Sequence, residues 1–374
     1  GFDGEDQMQF MRESMILYQI QHPAVVKFYG INFQSFSGSQ KLEPSIITEY
    51  LPNKSLQEIL LRERHSIADS KWTPTKKIIS LIGIAGAMSY LHDHNIMHRD
   101  LKPENILMDE NYYPRICDFG LSRCFPENLS QTKKNSMTNQ IGTPLYMAPE
   151  ILKDEHNYDF SVDVYSFAIL AYEIASGQEP YKELGNITPF NLAFKVASGY
   201  RPKFNKNVTE KMKELLSKCW SEDVNERPSF NEIFQMLSND FSYLGEDVDS
   251  DEVREYVEII RDANSRIESG NKIEKNFSKK SDELLSRALF ALNGNKSERN
   301  VPYALNLLKQ SSESGNSFAS LHLGLLYENG ENVEKNIDKA LFYYQKSAEQ
   351  GNSSGMRRIG LCYENGFGVE QDYS

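Results

Sequence analysis

Four side chains in two short stretches are suited to moving a phosphate. Asp100, Lys102 and Asn105 stand in HRDLKPENIL (98–107), and Asp118 opens DFG (118–120). Phosphoryl transfer needs a hydroxyl held in line, charge neutralised on the moving group, and little covalent help. Asp100 can accept the hydroxyl proton. Asn105 and Asp118 offer the hard oxygens that Mg2+ prefers. Lys102, two residues past Asp100, can place a positive charge on the transferred phosphate. His92, His94 and His98 lie close by in HDHNIMH, but their spacing is not that of a common zinc site. His98 is expected in the core, with His92 and His94 at a helix end.

These residues need a scaffold, and hydrophobic spacing outlines one. Phe10, Leu17 and Ile20 recur at helical spacing over 6–21, with Pro23 just beyond. Two strand-like runs follow, AVVKFYGINF (24–33) and PSIITEYL (44–51), separated by a turn-like QSFSGSQKLE. Helical patterns then appear near 55–64, 74–94, 160–177, 188–198, 208–219 and 228–238. The segment 95–150 differs: it holds short strands and the long polar loop PENLSQTKKNSMTNQ (126–140). Loops of this length are usually functional or disordered.

Five motifs stand in order: HRDLKPEN (98–105), DFG (118–120), APE (148–150), DVYSF (163–167) and CWSEDVNERPSF (219–230). Such an ordered set is far more specific than any one motif. From Glu13 to Arg227 the chain resembles the eukaryotic protein kinase fold. The resemblance implies an α+β, two-lobe fold with a mostly helical large lobe, and an enzyme using ATP and Mg2+ on protein substrates. It makes Asp100 the base and Asn105 and Asp118 the metal ligands. Glu13, in FMRESMILYQIQHP, falls where such kinases carry a helix-C glutamate that pairs with a lysine on strand three. IITEYL resembles the hinge, with Thr48 as gatekeeper, the backbone of Glu49 and Leu51 facing adenine, and Leu107 as the adenine floor. Glu58 is a candidate for a ribose contact, a solvated helix face being the alternative.

The same resemblance assigns supporting roles. Leu17, Phe28, His98 and Phe119 fall where an apolar stack reports the active state. Asp163 would hold the catalytic-loop backbone from below. Glu150 and Arg227 would form a buried ion pair. DLKPEN and GTPLYMAPE, with Thr143, look like serine/threonine kinases, whereas ITEYLPNKSL and CW…RPSF look tyrosine-kinase-like. This mixture is similar to the tyrosine-kinase-like group, whose members mostly phosphorylate Ser and Thr. Val224 departs from the proline usual there. Arg99 would pair with a phosphate on the long loop, Ser136 and Thr138 being the preferred sites; an unmodified polar loop is the alternative.

After Phe241 the composition turns acidic, and 242–280 reads as a linker leading into a charged helix. The domains expected are thus 1–241, this linker, and 281–374. The last part repeats itself. Gly315 matches Gly351, Gly324 matches Gly360, Tyr327 matches Tyr363 and Gly330 matches Gly366, each pair 36 apart (351 − 315). Gly294 and Ala304 begin a fainter copy opposite Gly330 and Ala340. Such a period marks a solenoid of helical hairpins. The pattern resembles Sel-one-like repeats, a branch of the tetratricopeptide-like superfamily, and implies an all-α array that binds a protein partner.

Composition sets the outer limits. A chain of 374 residues holds two or three domains. A net charge of −12 argues against a general nucleic-acid-binding role. The four cysteines, Cys117, Cys124, Cys219 and Cys362, form no CxxC pair and fit a reducing compartment, so a cytoplasmic location is expected. The longest apolar stretch, Ile78 to Leu91, falls short of the roughly 20 residues needed to span a bilayer. No glycine-rich loop and no VAIK-like strand precede Glu13. A chain lacking its N-terminal nucleotide roof, and cut within its last repeat, is therefore expected to turn over ATP weakly or not at all. Three readings remain open: an active serine/threonine kinase, a pseudokinase that binds without catalysis, and an adaptor built on the repeats.

Overall fold

The computed structural model describes residues 10, 13–14, 16–18, 20–32, 45–124, 144–153, 158–269, 281, 284–285, 287–288, 291, 300–330 and 333–368. Ser136, Thr138, Thr143 and Gly294 lie outside them. The chain divides into two compact units, one drawn from 1–19, 28–48 and 269–374, the other from 20–27 and 49–268. Each is described by itself.

In the first unit the described N-terminal residues 10, 13–14 and 16–18 are helical, as their periodicity requires. Strand β1 (Phe28–Asn32) pairs antiparallel with β2 (Ser45–Thr48) in the register Ile31↔Ile46, with a bulge between Phe28 and Gly30. These strands are shorter than the apolar runs that announce them. Ala24 to Lys27 belong to the second unit, where Val26 N–H donates to Ile116 O at 3.0 Å and Ile116 N–H to Ala24 O at 2.8 Å.

The second unit is mostly helical, and its helix ends follow local chemistry. Helix α1 (Leu56–Arg64) is capped by Ser55, with Glu58 in its first turn and Arg62 and Arg64 in its last, matching the helix dipole. Helix α2 (Pro74–Asp93) starts at a Thr73 cap with proline in its first turn. It is buried continuously from Ile78 to Leu91, so the long apolar stretch is a core helix. No helix among the described residues is long and apolar enough to cross a membrane. Strands β3 (Ile96–Met97), β4 (Ile106–Met108), β5 (Pro114–Ile116) and β6 (Arg123–Cys124) follow, β3 pairing with β6 and β4 with β5. Helix α3 (Pro149–Leu152) leads to α4 (Ser161–Ser176), a nearly fully buried helix that ends at Gly177 in the left-handed conformation (φ 67°). Helices α5 (Pro189–Ala197), α6 (Glu210–Cys219) and α7 (Phe230–Asn239) each carry a Thr or Ser cap, α7 with a complete capping box between Ser229 and Glu232.

The acidic stretch after Phe241 leads into helix α8 (Ser250–Ser269), which packs on α2. Two glycines make this approach possible. A Cβ built on Gly83 would lie 2.7 Å from Pro114 Cγ and overlap the Tyr256 hydroxyl, and one on Gly86 would overlap Ile260 Cγ2. Tyr256 and Ile260 are buried. Lys76 pairs with Glu252, and Asn264 Nδ2 donates to Gly86 O at 3.3 Å. Gly86→Ala is expected to lower the unfolding midpoint in urea. Overpacking costs about 1–3 kcal/mol, against a helix-propensity gain of about 1 kcal/mol. A raised midpoint would show that α8 yields to the added methyl group.

His22 lies in the same unit, buried, its ring 5.2 Å from Tyr90 and its Nδ1 accepting the Ala24 N–H at 3.0 Å. Burial pushes its pKa down to about 3, with Asn264 pulling weakly the other way. The folded protein therefore binds this proton less readily than the unfolded chain, whose histidine titrates near 6.5. The stability that neutral His22 contributes is complete above about pH 6.5 and lost as pH falls toward 3, at up to about 1.4 kcal/mol per pH unit. Urea midpoints should drop between about pH 7 and pH 5 in the native protein and drop less in His22→Gln. Equal drops would assign the effect to other groups.

Returning to the first unit, the repeats form helices α9 (Val301–Glu313), α10 (Ser317–Asn329), α11 (Ile337–Glu349) and α12 (Ser353–Asn365). The period recurs in the bonds. Asn300 and Asn336 cap α9 and α11, and Asn316 and Asn352 serve α10 and α12. Ser311 Oγ–H donates to Ser281 O at 2.5 Å and Ser347 Oγ–H to Ser317 O at 2.8 Å. Gly324 allows Tyr344 to pack where any Cβ would overlap its ring, and Gly330 closes α10 at φ 72°.

Candidate active site

The second unit holds Asp100, Lys102, Asn105 and Asp118, and the Cys117 N–H, directly before Asp118, donates to Asn105 O at 2.9 Å. Asp100 follows β3 on a loop and Asn105 ends a 3-10 turn begun by Pro103, directly before β4. Lys102 Nζ donates to Asp100 Oδ2 at 2.6 Å, and Asn105 Nδ2 donates at 2.8 Å both to Asp100 O and to Asp100 Oδ2. The carboxylate is thus fixed by a cation and an amide. Asp118 follows β5 in a left-handed conformation (φ 62°), and its Oδ1 accepts the Gly120 N–H at 3.2 Å. Arg99 is also left-handed (φ 70°). Such backbone costs about 1–3 kcal/mol per residue and persists only where the surroundings over-determine it.

Asp163 supplies that constraint for Arg99. It is fully buried on α4 and accepts the His98 N–H at 2.9 Å, the Arg99 N–H at 2.8 Å and a bond from His92 Nε2 at 3.0 Å. Burial alone would raise its pKa; the His92 and His98 rings and the backbone donor outweigh it, and the carboxyl titrates below the ordinary value. It stands ionised beneath the loop, as the kinase resemblance implied. His98 packs its ring 5.2 Å from Phe119, with Nε2 3.2 Å from Cys117 O, and burial lowers its pKa. Leu17 and Phe28, the other members of the expected stack, belong to the first unit. The three histidines serve separate partners: His92 binds Asp163, His94 Nδ1 meets Tyr90 O at 2.7 Å, and His98 joins the core.

The chain after Thr48 is tied to the large unit. Glu49 N–H donates to Lys27 O at 2.9 Å, while its Oε1 accepts the Lys27 N–H at 2.8 Å. Met108 N–H donates to Lys54 O at 2.8 Å, and Ser55 bridges Leu107. Leu51 is buried, and its N–H has no hydrogen bond among the described residues. Leu107 is half-buried in β4. Thr48 ends β2 and Glu13 is half-buried on the N-terminal helix, both in the first unit, and Glu13 has a polar or electrostatic partner. Glu58 is held by Lys54 at 2.8 Å and Arg62 at 2.6 Å, an ion-paired helix face.

Two networks go beyond what the motifs suggested. His92 as a partner of Asp163 is one; nothing local to HDHN marks it. The other joins Arg64, Glu173 and Tyr146. The Tyr146 hydroxyl donates to Glu173 Oε2 at 2.5 Å, Arg64 pairs with the same carboxylate, and Ser166 Oγ–H holds Tyr146 O at 2.8 Å. Burial pushes the Glu173 carboxyl up, against these partners. The bonds fix the segment just before Pro149 at both its backbone and its side chain.

Residues 2–237 match the family described as protein tyrosine and serine/threonine kinase. The chain belongs to that family. Within the kinases it is similar to the serine/threonine-protein kinase STY17 of Arabidopsis thaliana, 37% identical over 245 residues, covering 64% of this chain and 38% of the relative. It is also similar to the serine/threonine-protein kinase CTR1 of the same plant, 34% over 241 residues, covering 63% and 27%. A third relative is the dual specificity protein kinase shkB of Dictyostelium discoideum, 34% over 232 residues, covering 62% and 34%. The chain spans less than half the length of each of these relatives. Residues 285–316, 317–352 and 353–374 match the Sel1 repeat.

Proposed function

We propose that the protein is a cytoplasmic, ATP- and Mg2+-dependent serine/threonine kinase that phosphorylates protein substrates and offers its Sel1 repeats to a protein partner. The observation that carries this reading is the Asp100 carboxylate, fixed by Lys102 and Asn105 on a loop strapped to buried Asp163. Asp100 would take the proton of the substrate hydroxyl as the new oxygen–phosphorus bond forms and the γ-phosphorus parts from the bridging oxygen, which leaves with ADP. Lys102, 2.6 Å from that carboxylate, would balance charge on the transferred group. Asn105 and Asp118 fit a magnesium ion. Asn105 spends its amide nitrogen on Asp100, which leaves its oxygen for a hard cation, and Asp118 adds a carboxylate. When bound, the ion would neutralise charge on the nucleotide phosphates.

Adenine would meet the backbone of Glu49 and Leu51, with Leu107 as its floor; the Leu51 N–H, without a hydrogen bond among the described residues, supports this. Arg99, whose guanidinium lies 5.6 Å over the Tyr158 ring, is the candidate to receive a phosphate on Ser136 or Thr138. Free Cys117, Cys219 and Cys362 suit a reducing compartment.

The test is transfer of phosphate from MgATP to serine and threonine peptides by the full-length protein that contains residues 1–374. Transfer that disappears in Asp100→Asn supports the reading. Transfer to tyrosine peptides alone, or transfer indifferent to Asp100, overturns it.

A further inference from the structure

The repeats share one hydrophobic core with kinase-family segments of the first unit. Ile31 of β1 is buried in the same cluster as Leu307, Leu308, Phe318, Leu323 and Tyr344, and Phe10, Tyr18, Phe28 and Ile46 pack against that cluster. Tyr18, on the N-terminal helix, is the focus. Its ring meets Phe318 edge to face at 4.5 Å and 87°, and Phe28 at 6.4 Å and 86°. Its hydroxyl accepts the Ser317 Oγ–H at 3.1 Å.

The repeat period shows which of these residues the array itself requires. Ser317 has Ser281 and Ser353 at the equivalent positions, 36 residues either side. It serves the array, since its carbonyl receives Ser347. Phe318 is different: its equivalents are Asp282 and Ser354, both polar. A hairpin of this array therefore tolerates a polar residue there. Yet Phe318 is 4% exposed, and the ring against it belongs to Tyr18. An aromatic side chain at a position polar elsewhere in the period, covered by a segment from the far end of the sequence, is the mark of a built interface.

We propose that the repeat array is an intrachain clamp on the kinase small-lobe segments, its α9–α10 hairpin gripping the helix that carries Glu13 through Phe318 and Ser317. The ligand of this face is the chain's own N-terminal helix and the β1–β2 pair. A protein that engages the repeats and loosens this grip would release the helix, and one that tightens it would hold the helix in place. The consequence for phosphorylation rests on the kinase reading above; the clamp does not.

Hydrogen exchange on the whole protein tests the clamp without any assay of activity. Phe318→Ser installs the residue found one period later, so the array should remain folded. Exchange at the amides of Ile16, Leu17, Tyr18 and β1 should rise about tenfold, while that of α11 and α12 stays unchanged. Unchanged exchange at Ile16–Tyr18 and β1 would overturn the proposal. Should Phe318→Ser also loosen α11 and α12, Tyr18→Ala decides, because it leaves every repeat residue in place. Faster exchange at Phe318–Leu321 supports the clamp, and no change there refutes it. If exchange responds but no phosphate is ever transferred, the clamp stands and the kinase reading falls.

Discussion

Replacing Asp100 with asparagine should lower the rate of phosphate transfer by about 10²–10⁴-fold, the range typical of losing a general base. The substitution is nearly isosteric. An asparagine oxygen can still accept from Lys102 Nζ and Asn105 Nδ2, which now bond Asp100 Oδ2 at 2.6 and 2.8 Å. The loop geometry should persist, because its backbone is held by Asp163 through the N–H groups of His98 and Arg99. What disappears is the oxygen proposed to receive the hydroxyl proton, together with the negative charge beside Lys102. Steady-state kinetics should show the loss in kcat, with the KM for MgATP little changed, and the thermal midpoint should stay near that of the native protein. A variant keeping more than about a tenth of the native rate would show that the proton leaves by another route.

Arg227→Ala should cost about 3–5 kcal/mol of stability, the largest structural loss expected from one substitution in the second unit. The Arg227 guanidinium grips Glu150 with two bonds, 2.6 and 3.1 Å, and also donates to Ser161 O at 3.1 Å and Ser221 O at 3.0 Å. Its side chain is 0% exposed and that of Glu150 9%. Removing the arginine strands a buried carboxylate and takes a donor from the Ser161 and Ser221 carbonyls, and a buried unsatisfied group carries its own desolvation cost. For a unit of this size the thermal midpoint should fall by about 10 °C. The double variant Glu150→Ala/Arg227→Ala removes the stranded charge, so its loss should be smaller than the sum of the two single losses. Strict additivity in calorimetry would show that the two residues act independently and the pair is not the source of the stability.

Much of this was legible in the sequence. The expected helices near 74–94 and 160–177 are found at Pro74–Asp93 and Ser161–Ser176, because caps, first-turn prolines and terminal glycines act within a few residues. The short-range chemistry of HRDLKPEN was equally plain: Lys102 and Asn105 lie two and five residues from Asp100, and the loop closes on itself. The 36-residue period announced the stacked hairpins before any contact was known. The ion pair between Glu150 and Arg227, 77 residues apart, was legible only because both sit in recognisable motifs.

Partner choice over long separations was decided by the tertiary structure. Arg64 and Glu173 are 109 residues apart, and neither stands in a motif that names the other. His92 reads as a helix-end residue until α4 brings Asp163 beneath it. Gly83 and Gly86 look like weak points in a helix until Tyr256 and Ile260 of α8 fill the space. Phe318 looks like one more apolar residue in a repeat until the Tyr18 ring covers it. The sequence by itself determined the elements, the catalytic loop and the period of the array, because those depend on bonds closed within a turn or a hairpin. The partners of Asp163 and Glu173, and the segment that the repeats grip, depend on surfaces brought together across 71 residues for His92, 109 for Arg64 and 299 for Tyr18 and Ser317, and only packing selects among the faces that any one helix offers.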